Sequence, residues 1–136
     1  MAGSVSGAVA RIQTLVGAVS GIRSAPATLI EAPASWPVAL SYVANVQSVS
    51  QPSATVRKAL VVIRTEIHTP RKDLPRDYAI MDDFALSVPM AIRADDSLGG
   101  NVDTIVDLTG ALGPGKINDI ITVAWSFSTT VKIDAL

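Results

Sequence analysis

VRKALVVIRTEIH (Val56–His68) is the stretch whose reading decides the fold. Val61, Ile63, Thr65 and Ile67 fall on one side of an extended chain, and Leu60, Val62, Arg64, Glu66 and His68 fall on the other. Alternation at period two is the signature of a strand. The first side reads as core. The second begins apolar and ends charged, as a strand does when it runs out of cover into solvent or a wet interface. A strand covered on one face only belongs in a sheet with helices stacked on one side.

Downstream, TPRKDLP (Thr69–Pro75) reads as a turn, and a second helix begins near Leu74 or Pro75. Asp73 suits its N-cap and Pro75 its first turn. Tyr78, Met81, Phe84, Ala85, Val88 and Ile92 keep helical spacing. Pro89 lies inside that pattern, where it should kink or split the helix. ADDSLGGN (Ala94–Asn101) reads as a loop, Val102–Leu108 as a strand, and GALGPG (Gly110–Gly115) as a turn. From Ile117 to Ile133 the apolar set Ile121, Val123, Trp125, Phe127, Val131 and Ile133 alternates with Thr122, Ala124, Ser126, Ser128 and Thr130, which predicts a long strand.

Upstream, Gln47–Thr55 is polar, carries Pro52 and reads as a loop or hairpin connection. Trp36–Val46 reads as a strand, with Trp36, Val38, Leu40 and Tyr42 on one side and Ala39, Ser41 and Val43 on the other. Pro26, Pro33 and Pro37 punctuate the preceding stretch, with a short edge strand expected over Ala27–Glu31. Ser4–Ile22 reads as an amphipathic helix along Val5, Val9, Ile12, Val16, Val19 and Ile22, with Ser4 as N-cap. Gly7, Gly17 and Gly21 each weaken a helix interior by about 1 kcal/mol relative to Ala, while permitting close approach of another backbone. The order helix, strand, strand, helix, strand, strand gives an α+β fold. The expected sheet is mixed or antiparallel, of four to five strands, packed against two main helices in one domain over residues 1–136.

Composition bounds the chemistry. The 136 residues are 49% hydrophobic and 17% charged, with mean hydropathy +0.39, so the chain can bury a core and is not of disordered composition. No run approaches the ~18 apolar residues of a membrane span, so no membrane association is expected. Surface buried only on assembly is another source of high hydropathy. Cysteine is absent, which excludes disulfides, thiolate metal sites and cysteine nucleophiles. Met1–Ser6 lacks a basic, then apolar leader, so folding in a cytoplasm is expected.

Net charge is −1, but its distribution is uneven. Arg57, Lys58, Arg64, Arg71, Lys72 and Arg76 make one segment basic. Asp77, Asp82, Asp83, Asp95, Asp96, Asp103, Asp107 and Asp119 make the next acidic. Either the two neutralise each other within one subunit, or they are complementary faces that meet between subunits.

Few motifs carry chemistry. GALGPGK (Gly110–Lys116) matches the first seven positions of a phosphate-binding loop, but Ile117 replaces the Mg²⁺-ligating hydroxyl and a strand follows where a helix is required. A hairpin turn is the favoured reading. His68 is the only histidine and reads as a solvated or capping residue. Glu66, two residues earlier, could join it and a hydroxyl in a nucleophilic site, but no nucleophile elbow is present. Asp82 and Asp83 are adjacent on a helix, so they read as a solvated face and not as a proton-sharing pair. Asp95, Asp96 and Asn101 offer oxygen ligands without calcium-loop spacing. No cofactor or metal is expected.

KALVVIRTEIHTPRKDLPRDY (Lys58–Tyr78), a helix with a late proline over Phe84–Met90, DDSLGGNVDTI (Asp95–Ile105) and a long C-terminal strand together resemble the lambda-type tail terminator family of siphophages. The likeness is one of pattern over nearly the whole chain. It implies an α+β, non-enzymatic virion protein at the tail–neck junction. Such a protein caps the tail tube as a homo-oligomer, a hexameric ring seated on the major tail tube protein. It stops tube growth and offers the docking surface for the head-completion (stopper) connector. The genome passes through the ring without sequence-specific binding. The interface candidates under this resemblance are Arg64, Glu66, His68, Arg71, Lys72, Asp95, Asp96 and Asn101. Another head–tail neck protein and a binding module outside phage are the alternatives.

Overall fold

The computed structural model describes residues 4–27, 33, 35–54 and 56–134. The protein has an α+β fold. Its elements run α1 (Val5–Gly17), β1 (Val38–Ser53), β2 (Val56–Pro70), α2 (Leu74–Asp82), α3 (Phe84–Arg93), β3 (Thr104–Ile117) and β4 (Ile120–Asp134). The strands form one sheet in the order β1-β2-β4-β3, and every neighbouring pair is antiparallel. The helices pack on one face.

β2 behaves as its alternation predicts. Val61, Ile63, Thr65 and Ile67 are buried beneath the helices. β4 adds Val123, Phe127, Val131 and Ile133 to the same core, and α1 adds Ala8, Ile12 and Val16. Trp125 is half-buried, stacks on Phe127 with ring centroids 5.1 Å apart, and donates its indole N–H to the Met81 carbonyl at 2.7 Å. A second cluster lies on the other face, where Ile117 near the end of β3 packs with Trp36, Val38 and Leu40. The two edges of the sheet therefore approach each other at this end, and the uncovered face is concave there.

α1 is capped as expected, with the Ser4 hydroxyl accepting from the Gly7 N–H at 3.0 Å. It ends at Gly17 and does not reach Ile22. Val19 and Ile22 still pack on the core, from a turn whose Gly21 takes φ +97°. The close approach expected of glycine occurs at Gly7, where a Cβ would sit 2.3 Å from Asn101 Oδ1. Pro89 does not break the helix at its own position. The break falls at Asp83, before the stretch in which the proline ring crowds the preceding turn, and α3 continues through Pro89.

Three further expectations are corrected. Gln47–Ser53 is strand and not loop, because β1 runs on to Ser53 against β2. β3 starts at Thr104 rather than Val102 and continues to Ile117, so GALGPG lies inside a strand and is not a turn. The true turn is Asn118-Asp119, with Asn118 at φ 52°, a conformation asparagine tolerates. The expected strand over Ala27–Glu31 lies outside the described residues except for Ala27. The Trp36–Pro37 peptide is cis, and β1 begins at Val38.

Two of the three glycines of β3 serve packing. A Cβ on Gly110 would lie 2.7 Å from Phe127 Cδ1, and one on Gly115 would lie 2.8 Å from Ala124 Cβ. A Cβ on Gly113 meets nothing within 4 Å. Phe127 is buried and cannot retreat cheaply. We therefore expect Gly110→Ala to lower stability by about 1–3 kcal/mol in urea unfolding, and Gly113→Ala to stay within about 0.5 kcal/mol. Equal effects at the two positions would contradict this packing role.

Candidate functional site

The concave face carries a chain of polar side chains. Arg64, Glu66 and His68 project from alternate positions of β2, and Thr122 enters from β4. His68 Nδ1 lies 2.7 Å from Thr122 Oγ1, and His68 Nε2 lies 2.8 Å from Glu66 Oε1. The Tyr42 hydroxyl donates to Glu66 Oε2. The Glu66 carboxylate can only accept, so Nε2 is the donor to it, while the threonine hydroxyl can either donate to or accept from Nδ1. The His68 hydrogen bond holds the Glu66 carboxyl below its ordinary range, against burial, which pushes it up. Burial raises the Tyr42 phenol, and the Glu66 carboxylate raises it further.

His68 is only 2% exposed, so the expectation of a solvated or capping residue is corrected. Its cover comes from β3, where Gly115 would carry a Cβ 3.1 Å from the imidazole Cε1. Glu66, His68 and Thr122 are the residue types of a nucleophilic triad. Thr122 is fully buried, however, and both ring nitrogens are engaged, so its hydroxyl faces no substrate. A cavity of about 320 Å³ opens over the chain, bounded by Arg64, Glu66, His68, Lys116, Ala124 and Ser126. Arg64 Nε is buried with no hydrogen-bond partner among the described residues. Residues 111–116 form part of the cavity wall as strand, with backbone groups laddered to β4, and so make no phosphate cradle.

The other candidates lie elsewhere. Arg71 and Lys72 are exposed beside the β3–β4 turn. The Arg71 N–H donates to the Ile121 carbonyl at 3.0 Å, and the Lys72 N–H donates to Asp77 Oδ2 at 2.8 Å. Asp77 is buried and also accepts from the Asp73 N–H, while the Asp73 side chain makes no capping bond. The expected cap residue is thus in place but the capping carboxylate is Asp77.

Asp95, Asp96 and Asn101 sit toward the far end of β4, in the loop that meets Lys132 through the Asp103 N–H. Ile121 and Lys132 are 11 residues apart on β4, or about 36 Å along a strand. Asp95 Oδ2 accepts from Arg11 Nε at 2.7 Å and from the Gly99 N–H at 2.8 Å, and the Arg11 bond lowers its carboxyl. Asp96 accepts from Thr104 at 2.7 Å and from Arg93 at 3.4 Å. Asn101 donates to the Leu98 carbonyl at 2.8 Å. Lys58 and Asp103, 2.7 Å apart, join the basic and acidic segments inside one subunit. The structure therefore divides the eight candidates among three places: Arg64, Glu66 and His68 together, Arg71 and Lys72 at one end, and Asp95, Asp96 and Asn101 at the other.

Two apolar rows escaped the sequence reading. Val43, Val46 and Val49 are exposed along β1, and Leu86 and Met90 are exposed on α3. The signal for the first is a valine at every third position, which matches neither strand nor loop. Among the described residues, no group of three or more His, Cys, Asp or Glu side chains could hold a metal ion, and no helix is long and apolar enough to cross a membrane. No protein-family model matches the chain, and no curated protein matches it in sequence.

Glu66 gives a pH-dependent expectation. Its carboxyl is lowered in the folded protein, so its contribution to stability is full above the ordinary glutamate value near pH ~4.3 and fades as pH falls through the lowered value. Glu66→Gln should cost stability at pH 7 and progressively less below pH ~4. Unfolding curves across that range check it, and a cost that stays constant or grows on acidification would refute it.

Proposed function

We propose that this chain is an assembly subunit of the tail terminator kind. It acts as a non-enzymatic virion protein that closes a phage tail tube as a homo-oligomeric, hexameric ring. In this reading the ring sits between the major tail tube protein and the head-completion connector at the tail–neck junction. The genome passes through its opening without sequence-specific contacts.

The observation that carries the proposal is exposed apolar surface gathered into rows: Val43, Val46 and Val49 on β1, and Leu86 and Met90 on α3. Scattered apolar residues on a surface are ordinary, but contiguous rows mark surfaces that meet partners. The turn end of the sheet supports a second kind of contact. There Ile120, Ile121 and Leu74 are exposed near Arg71 and Lys72, whose side chains make no ion pair among the described residues. A basic, apolar end suits docking to a tube or connector.

Light scattering and negative-stain imaging, with and without tail tubes, test the proposal. We expect six-fold rings, or density at one tube end only. A strict monomer that ignores tube ends at high concentration would sink it. Replacing Arg71 and Lys72 together by alanine should leave rings intact and weaken docking, and unchanged capping would remove this pair from the docking surface.

A further inference from the structure

β1 opposes β2 with register shifts between Val43 and Asn45 and between Val46 and Ser48. Each shift adds one residue, so a row that should repeat every second position repeats every third. Val43 faces Ile63, Val46 faces Val61, and Val49 faces Ala59. Directly opposed residues of an antiparallel pair share a face. Their three partners are core residues of the helix-covered face. The three valines thus lie on the side of the sheet that is built to be covered.

The cover stops short of them. α1 has 13 residues, about 20 Å of helix, and it lies over the start of β1, where the Gln13 amide donates to the Ala39 carbonyl at 2.7 Å. β1 has 16 residues, about 50 Å of strand. Exposure rises along it, from 42% at Val43 to 55% at Val46 and 61% at Val49. The row ends at Arg57, on the same face as Ala59, whose guanidinium donates to Gln51 at 3.1 Å and meets no carboxylate among the described residues.

α3 supplies the counterpart. Phe84, Val88 and Ile92 are buried, while Leu86 and Met90, four residues apart, share the outward face at 72% and 68% exposure. Asp82 and Asp83, exposed at the N-terminal end of that row, make no side-chain ion pair among the described residues.

We propose that α3 of one subunit lies on the bare far end of β1 of the next. Leu86 and Met90 pack against Val43, Val46 and Val49, and Asp82 and Asp83 approach Arg57. This rests on the assembly reading above and names the surfaces it uses. A helix on this sheet face is the packing α1 already makes. Pairing like with like would bring Arg57 to Arg57, or Asp83 to Asp83, whereas the unlike rows carry opposite charge. Unlike faces make a heterologous contact, which propagates from copy to copy and closes as a ring when the rotation between neighbours divides a full turn.

The absence of cysteine makes the test clean. Val49→Cys with Leu86→Cys in one chain, oxidised mildly, should give a ladder of covalent multimers that reductant collapses. Val46→Cys with Met90→Cys tests the next contact along the same row. Each single variant should give almost no covalent dimer, and a mixture of the two singles should stop at dimer. Arg57→Asp should raise the concentration needed for assembly about tenfold, and adding Asp83→Arg should restore it. No ladder from either pair in a protein that light scattering shows assembled would overturn this interface and leave the ring reading standing. Single variants that dimerise as well as the mixture would show a symmetric contact and overturn it too. A wild-type protein that stays monomeric and leaves tubes uncapped would overturn both.

Discussion

Thirteen consecutive residue pairs, from Lys58 opposite Asp134 to Pro70 opposite Thr122, hold β2 against β4 without a register shift. Everything else in the molecule depends on that ladder. A slip of one residue would carry Ile63 and Ile67 to the open face and drive Arg64, Glu66 and His68 under the helices. The core and the polar chain are therefore set by one register. Burying two or three of those polar groups beneath the helices without partners would cost several kcal/mol, so the ladder is specified from both faces at once. β1 and β3, on the outside, each carry register shifts that the central pair lacks.

This division explains what could be read in advance. β2 and β4 keep strict alternation, and their core residues and faces are legible from the sequence. β1 is legible only up to its first bulge. From that bulge on, Val43, Val46 and Val49 fall at a spacing that belongs to no regular strand, and Gln47, Ser48 and Ser50 beside them mimic a loop. β3 misleads for a different reason. Gly110, Gly113, Pro114 and Gly115 have turn composition, yet an edge strand tolerates proline, and two of the three glycines are there because Phe127, Ala124 and His68 occupy the space a side chain would need.

The candidate residues divide in the same way. That Glu66 and His68 share a face follows from their spacing of two. The burial of His68 does not, because its cover arrives from a strand some 45 residues later. Asp95 is visible as a charge, but its partner Arg11 is 84 positions away. A local charge pattern shows which groups are available and not which are already satisfied. Here the acidic loop is largely occupied in fastening α1 and α3, so it offers less to a neighbour than its sequence suggests.

A high mean hydropathy is consistent with this arrangement. Part of the apolar content builds the core, and part lies in the β1 row, the α3 row and the turn end near Ile120 and Ile121. Meanwhile His68, Thr122, Thr129 and Asp77 are buried. Polar groups are thus drawn into the interior of a small protein while valines, a leucine and a methionine stay outside. A chain selected only for the stability of an isolated subunit gains nothing from that exchange, since the buried polar groups bring desolvation costs and the exposed apolar ones forgo burial. In the proposed assembly a second copy covers the exposed rows and so recovers the apolar half of that exchange, while His68, Thr122 and Asp77 are satisfied by hydrogen bonds within the subunit. Because the rows sit on an edge strand and an outer helix face, such surfaces can change without disturbing the β2–β4 register that makes the fold.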